Sequence, residues 1–503
     1  MKAVPSLSIS LRLLLIITSL FSQARAHAED GFVREDHSVI KAILPGDFNQ
    51  DNAVDLQDYV VLKTSLMNGS LVADLNSDGE VGLADFNIFK NNFGISNHVN
   101  ANFKFKQLAD IQSGQSAIVQ APDGSGFMFA YKDPSTQQIS YMSPGLGVVV
   151  NNTAVNPNEH GRDGWNNVYK ILVDNNYQWA RHLASHGINS IKLYLAAENP
   201  TDEKLAELAQ DIQNIYRETG IRTLVLSFAG LYADNNAGTH YMNAPTPENL
   251  DVVRSYIRKA AQALSQTGPA LLGFQISNEN AYHVQGAYAN PSIYFGGANW
   301  NTIRMTPLEY YRFMVELANE YRQYDPNHPL IFGHGNLQDH QIQTMRQAGI
   351  RDAFDAISLN LYPGSIVGAH SIDESIERLV EAYANDMREA AELGLPVILG
   401  EFGKSSYQIG EDKQAEFIER ATLALSGFMA RGNHNSTTHP HALAGLYYHE
   451  LFQENWKRIE QGEGQDQTSL YNRVSDNDHV AKSAFFALSR LYSQQQSLYE
   501  EWI

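Results

Sequence analysis

The chain has 503 residues, with 56 acidic against 36 basic side chains and a formal charge of −20. That balance argues against nucleic acid as a partner, since its recognition rests on clustered Lys and Arg. There is no cysteine, which removes disulfides, thiolate metal sites, cysteine nucleophiles and a cysteine-linked lipid anchor together. At 43% hydrophobic and 18% charged residues the composition is globular, and the length allows two domains or one large barrel with additions.

Lys2 and Arg12 precede the apolar stretch "LLLIITSLF", and "SQARA" places Ala24 and Ala26 ahead of His27. This is the pattern of an export signal, residues 1–26, cleaved from the mature chain. The stretch is too short to span a bilayer, and no later run reaches the roughly 18 apolar residues required. The expectation is a secreted protein, extracellular or periplasmic, with no membrane partner.

Two stretches then repeat each other 27 residues apart, "GDFNQDNAVDLQDYVVLK" and "ADLNSDGEVGLADFNIFK". The first places Asp47, Asn49, Asp51, Asp55 and Asp58 at loop positions 1, 3, 5, 9 and 12. The second places Asp74, Asn76, Asp78 and Asp85 at positions 1, 3, 5 and 12. Oxygen ligands at these offsets suit calcium, a hard cation that takes six to eight oxygens from a tightly wound loop. Each loop leads into a helical pattern, "DYVVLKTSL" and "DFNIFKNNF". Both loops end in Asp rather than Glu, and Asn52 stands at position 6, where a left-handed backbone is wanted. Paired loops of this kind resemble the dockerin module of secreted polysaccharide-degrading enzymes, over about residues 44–95. The resemblance implies an all-α, EF-hand-like module that folds with calcium and a cohesin-type receptor as its partner.

Beyond residue 100 the pattern changes. "AIVQAPDGSGFMFAYKD" reads as β-structure turning at Asp123-Gly124. Eight apolar runs follow: "LGVVVNN", "NSIKLYLAAEN", "RTLVLSFAG", "LLGFQISNEN", "PLIFGHGN", "DAISLNLYP", "PVILGEFGK" and "LAGLYYHEL". Helical patterns such as "YQWARHLASHG" and "ESIERLVEAYANDMREAAELG" lie between them. Continuous apolar strands alternating with helices predict a parallel sheet buried on both faces. Eight of them predict an α/β fold, a (β/α)8 TIM barrel over residues 100–503. A doubly wound sheet is the other arrangement, but no glycine-rich phosphate loop follows the first strand.

Two of these strands end in glutamate, Glu279 and Glu401, by count the fourth and seventh. Paired carboxylates at a barrel mouth suit glycosidic bond cleavage, one protonating the leaving oxygen while the other attacks the anomeric carbon. His334, His449, Tyr194, Trp165, Phe228, Tyr282, Tyr447 and Tyr448 also stand where sugar subsites would lie, with core packing the competing account for each. The cluster His434, His439, His441 lacks the i, i+4 spacing of a zinc site. No G-x-S-x-G elbow occurs, and the glycines before "GKSSYQ" have the wrong spacing for a phosphate loop.

The segments "HLASHGINSIKLYL", "GFQISNEN", "DAISLNLYPG" and "LPVILGEFGK", in order over residues 145–460, resemble clan A retaining glycoside hydrolases. The resemblance implies Glu279 as acid/base, Glu401 as nucleophile, Asn278 on the substrate 2-hydroxyl and Tyr362 bonded to Glu401. Many members of that clan have an Arg where this chain has Lys192, a point charge without the bidentate fork of a guanidinium. The substrate implied is a β-linked polysaccharide, β-glucan first, with mannan and galactan open and no catalytic cofactor. Transglycosylation, or a carbohydrate-binding barrel without turnover, are the alternatives.

Overall fold

A computed structural model of the protein describes residues 46, 48, 56–68, 70–75, 79–92, 103–150, 170–195, 201–227, 250–278, 306–335, 337, 339–362, 371–430, 442–452, 467–475 and 478–500. Residues 1–26, expected as an export signal, lie outside these. Among the described residues no helix is long and apolar enough to cross a membrane.

The first two helices, α1 (Leu56–Asn68) and α2 (Leu83–Asn92), follow the two acidic loops. Leu62, Ala73 and Phe89 form their small core, with Phe48, Tyr59, Leu75, Val81 and Phe86 packed against it. Phe48 and Phe89 stack with ring centroids 6.2 Å apart.

An antiparallel meander comes next: β1 (Ser116–Gln120), β2 (Phe127–Lys132) and β3 (Ile139–Met142). The β1–β2 turn falls at Asp123-Gly124 as the sequence predicts, with Gly124 at φ 76° and Ser125 N donating to Asp123 Oδ1. Both faces of β2 are covered. Phe127, Phe129 and Tyr131 join the main core, while Met128 and Ala130 pack with Ala117, Val119 and Tyr499.

The predicted strands and helices then alternate: β4 (Gly145–Val150), α3 (Lys170–Ser185), β5 (Ser190–Leu195), α4 (Asp202–Thr219), β6 (Arg222–Ser227), α5 (Leu250–Leu264), β7 (Leu271–Ile276), α6 (Pro307–Tyr324), β8 (Leu330–Gly335), α7 (Asp339–Ala348), the short α8 (Ile350–Ala353), β9 (Ala356–Leu361), α9 (Ile372–Leu393), β10 (Val397–Phe402), α10 (Glu411–Ser426) and β11 (Leu443–Tyr448). The eight strands β4 to β11 form a closed barrel in chain order, sealed by parallel pairing of β11 with β4. A hairpin, β12 (Tyr471–Ser475) with β13 (Asp478–Ala481), and a last helix, α11 (Ser483–Ser497), complete the chain described.

Local chemistry sets the element ends. Thr306 and Glu309 form a reciprocal capping box at α6, with Pro307 at the first helical position. Ser371 caps α9 at its start, and Gly394 ends it in a left-handed turn. In α3 the backbone leaves the helix at Asp174–Tyr177, so the regular part, Gln178 to Ser185, falls within the predicted "YQWARHLASHG".

Residues 103–142 close the N-terminal end of the barrel. Lys104 Nζ donates to Phe354 O at 2.7 Å and Asp352 O at 3.0 Å, just before β9. Gln115 Nε2 donates to Pro326 O at 3.0 Å, just before β8. Above this floor Tyr447 fills the interior, fully buried. A Cβ on Gly147 would stand 2.4 Å from its ring, so only glycine leaves it room. Tyr448 is equally buried, its Oη donating to Thr468 O at 2.8 Å. Of the aromatic residues weighed for sugar stacking, these two are therefore core.

Candidate active site

Glu401 lies in β10, the seventh barrel strand. The strand is irregular here, with register shifts against β9 between Leu399 and Glu401 and against β11 between Leu399 and Phe402. A Cβ on Gly400 would meet Ser358 Oγ at 2.2 Å and Lys192 Nζ at 2.9 Å, so Gly400 faces the interior. Glu401 faces the same way, since its partners Lys192, Tyr194 and Tyr362 are interior too. Two successive residues on one face is the signature of a bulge, which here aims the carboxylate into the mouth.

Glu401 is 4% exposed, and its carboxylate is well supplied with partners. Tyr194 Oη donates to Oε1, and Tyr362 Oη donates to Oε2 at 2.8 Å. Lys192, fully buried on β5, holds its ammonium 3.6 Å from Oε1 and donates to Gly400 O at 3.2 Å. Burial by itself pushes the Glu401 carboxyl up. The Lys192 charge, then His449, then the two phenol bonds outweigh it and hold the carboxyl below its usual value.

His449 follows β11, its N–H donating to Phe402 O at 2.9 Å and its ring centroid 6.1 Å from that of Tyr362. Asn278 is 6% exposed, two residues past the end of β7. Its Oδ1 accepts from Asn360 Nδ2 at 3.2 Å and lies 3.4 Å from Gln275 Nε2. Gln275 also donates to Ser277 O at 3.0 Å, holding a turn in which Ser277 takes φ 67°. With its oxygen occupied, Asn278 has its amide NH2 to offer a ligand. Glu279 is the next residue in the chain and lies outside the described residues, as do Trp165, Phe228, Tyr282, His434, His439 and His441.

The structure thus gathers Glu401, Lys192, Tyr194, Tyr362 and His449, and sets Asn278 at the end of β7. It does not bring His334 there. That residue is fully buried on the helix side of β8, bonded through Nε2 to Tyr311 Oη of α6 at 2.9 Å. The structure therefore sets His334 apart from the group around Glu401. Tyr194 stands beside Glu401, its hydroxyl on the carboxylate. Gln275 and Asn360 were missed, although polar residues inside an otherwise apolar buried strand are the available signal for inward-facing polar groups.

In the acidic loops, Asp58 and Asp85 are fully buried. Phe48 N donates to Asp58 Oδ1 at 2.6 Å, and Leu75 N donates to Asp85 Oδ1 at 2.7 Å, the same ten-residue closure twice. Asp74 Oδ2 accepts from Gly79 N at 2.9 Å, with Gly79 at φ 89°. Asp47, Asn49, Asp51, Asp55, Asn76 and Asp78 lie outside the described residues. Among the described residues no three His, Asp or Glu gather as a metal site.

No protein-family model matches the chain, and no curated protein does. Solved structures do. A substituted subfamily-18 member of glycoside hydrolase family 5 from Streptomyces cattleya, with Manβ1-4GlcNAc bound, matches at TM-score 0.50 and 14% identity over 69% of this chain and 80% of that one. The same family's enzyme from that organism with GlcNAc gives 0.47 and 14%, over 71% and 81%. A family 5 mannosidase from Rhizomucor miehei gives 0.49 and 11%, over 78% and 100%. At these identities the likeness is one of fold: the structural neighbours of this barrel are glycoside hydrolases.

Proposed function

We infer that this protein is a retaining glycoside hydrolase, exported by residues 1–26, that cleaves a β-linked polysaccharide, with β-glucan the first candidate. The observation that supports this most is Glu401: a buried carboxylate aimed into a barrel mouth and kept ionised by an ammonium and two phenols. Burying such a charge is expensive, and it is retained where chemistry uses it.

Glu401 attacks the anomeric carbon and forms a glycosyl ester as the bond to the leaving oxygen breaks. Glu279 gives that oxygen its proton, then takes one from the incoming water as the ester is hydrolysed. This requires the two carboxyls about 5–5.5 Å apart, with opposite protonation at rest. The amide NH2 of Asn278 meets the sugar 2-hydroxyl, an interaction that strengthens as positive charge develops on the ring. Lys192 supplies charge from β5 without a guanidinium, and its 3.6 Å approach to Glu401 weakens the case for a barrel that binds without turnover.

The residues of the acidic loops fit calcium as a structural ion. Asp74 supplies the second loop's first position, and Asp58 and Asp85 close the two loops by backbone bonds. Asp47, Asn49, Asp51, Asp55, Asn76 and Asp78 would complete the oxygen sets. The role read for this module is docking to a cohesin-like receptor.

The test is reducing-end release from a panel of β-glucans, mannans and galactans, with wild type and Glu401→Gln side by side, with and without chelator. The expected result is release from one polymer, lower by roughly 10³-fold or more in Glu401→Gln and little changed by chelation. Equal release by the variant would remove Glu401 as nucleophile. Release abolished by chelation would remove calcium's purely structural role in a separate module.

A further inference from the structure

The two oxygens of Glu401 have unequal partners. Oε1 accepts the Tyr194 hydroxyl and faces the Lys192 ammonium at 3.6 Å. Among the described residues Oε2 accepts one bond, from Tyr362 at 2.8 Å. Lys192 and Tyr194 stand two apart on β5, so strand alternation puts them on one face. Around the barrel β11 and β4 separate β5 from β10, so both side chains reach Glu401 across the interior. The Lys192 ammonium also lies 5.8 Å from the Tyr194 ring centroid, which binds the pair into one unit.

We propose that Tyr194 is a positioning residue that, with Lys192, anchors Oε1 of Glu401 and leaves Oε2 as the oxygen that attacks. This rests on the glycosidase reading given above. An oxygen that bonds to carbon gives up a lone pair and most of its negative charge, so donors aimed at it lose their acceptor. Attack through Oε1 would take the negative oxygen away from two donors at once in a dry site, the Tyr194 phenol and the Lys192 ammonium, which would keep its bond to Gly400 O. Attack through Oε2 releases, among the described residues, the Tyr362 hydroxyl alone.

An Oε2–carbon bond forms while the carbon–oxygen bond to the leaving sugar breaks, and that electron pair leaves with the departing oxygen, which takes the acid's proton. Oε1 becomes the carbonyl oxygen of the ester and keeps its Tyr194 and Lys192 partners. When water attacks, the electron pair of the Oε2–carbon bond returns to Glu401 and restores the carboxylate. The bulge at Gly400 serves this arrangement, since a side chain there would occupy the space of the Lys192 ammonium.

The test has two arms. The first needs no substrate: protein labelled with carbon-13 at the Glu carboxyls is titrated by NMR, with Glu401→Gln assigning the signal. Tyr194→Phe should move the Glu401 titration to higher pH, and the acid limb of the kcat/KM profile should follow it. A merely structural role for Tyr194 would leave the titration where it is. The second arm traps the enzyme with dinitrophenyl 2-fluoro-β-glycosides of glucose, mannose and galactose and determines the structure of the adduct. Sugar on the oxygen facing Tyr362, with Tyr194 still on the other, is expected; sugar on the oxygen facing Tyr194 overturns the proposal. A shifted titration with no adduct from any sugar would overturn the glycosidase reading and the attacking oxygen, and leave the anchor. An adduct with an unshifted titration would overturn the anchor and leave the glycosidase reading intact.

Discussion

At the floor of the barrel, half-buried Lys104 meets the carbonyls of Asp352 and Phe354 and the carboxylate of Asp355, while buried Gln115 and Tyr499 meet the carbonyls of Pro326 and Ala430. At the mouth, an ammonium and a carboxylate are both taken out of water and set 3.6 Å apart. The floor arrangement satisfies groups that packing has buried. The mouth arrangement is a poor route to stability, because desolvating two charges offsets most of their attraction. On the function proposed, the same eight strands end in stability on one side and in reactivity on the other.

One chemical change made at both ends should separate them most widely. Gly400→Ala puts a methyl 2.2 Å from Ser358 Oγ and 2.9 Å from Lys192 Nζ. Gly126→Ala puts one 2.8 Å from the Ala430 backbone. Each is an overpacking of about 1–3 kcal/mol, to be read from denaturant unfolding. The first should also lower kcat/KM by about tenfold or more, because Lys192 must move away from Glu401. The second should leave activity per folded molecule unchanged. Equal loss of activity from both would erase the division between mouth and floor.

A smaller effect is expected from Asp386 of α9. Its Oδ1 accepts from Leu337 N at 3.1 Å, just past β8 on the mouth side, and its buried Oδ2 has no hydrogen-bond partner among the described residues. Burial pushes this carboxyl up from 3.8 to about 7. A carboxyl whose folded value is raised binds its proton more tightly in the native state. Its stability is therefore fully present below about 3.8 and is lost as pH rises to about 7. Asp386→Asn should melt a few degrees above wild type at pH 8 and close to it near pH 4. Melting curves across that range check the sign, and a variant less stable at pH 8 would refute the assignment.

The smallest effect belongs to Tyr499→Phe, which removes one floor bond of 2.7 Å to Ala430 O. A loss of about 1 kcal/mol, with kcat and KM unchanged, is expected from denaturant melts and steady-state rates.

The eight strands were legible because barrel strands buried on both faces read as unbroken apolar runs. Glu401 and Tyr362 were legible because they stand at strand ends, where such runs stop. That same double burial hides which way a side chain points. "FGHGN" gives no alternation to show that His334 faces α6 while Gly333 faces inward beside Gln275. The Tyr194 bond to Glu401 was hidden for another reason. It joins residues 207 apart, on strands brought together only when the barrel closes. The bulge at Gly400 is similarly a matter of register between neighbours, which no single strand encodes.

The floor has a further consequence, for the making of the protein. Lys104 donates to carbonyls 248 and 250 residues further along the chain, and Tyr492 to the carbonyl of Gly147, 345 residues earlier. A ribosome emits the meander long before β8 and β9 exist to receive it. It emits β4 long before β11 arrives to cover its edge. Contacts at such separations fold slowly, and an unfinished parallel sheet presents bare strand edges to its neighbours. The hazardous interval for this chain is thus its own synthesis, when an apolar floor and an open barrel must both wait for residues not yet added.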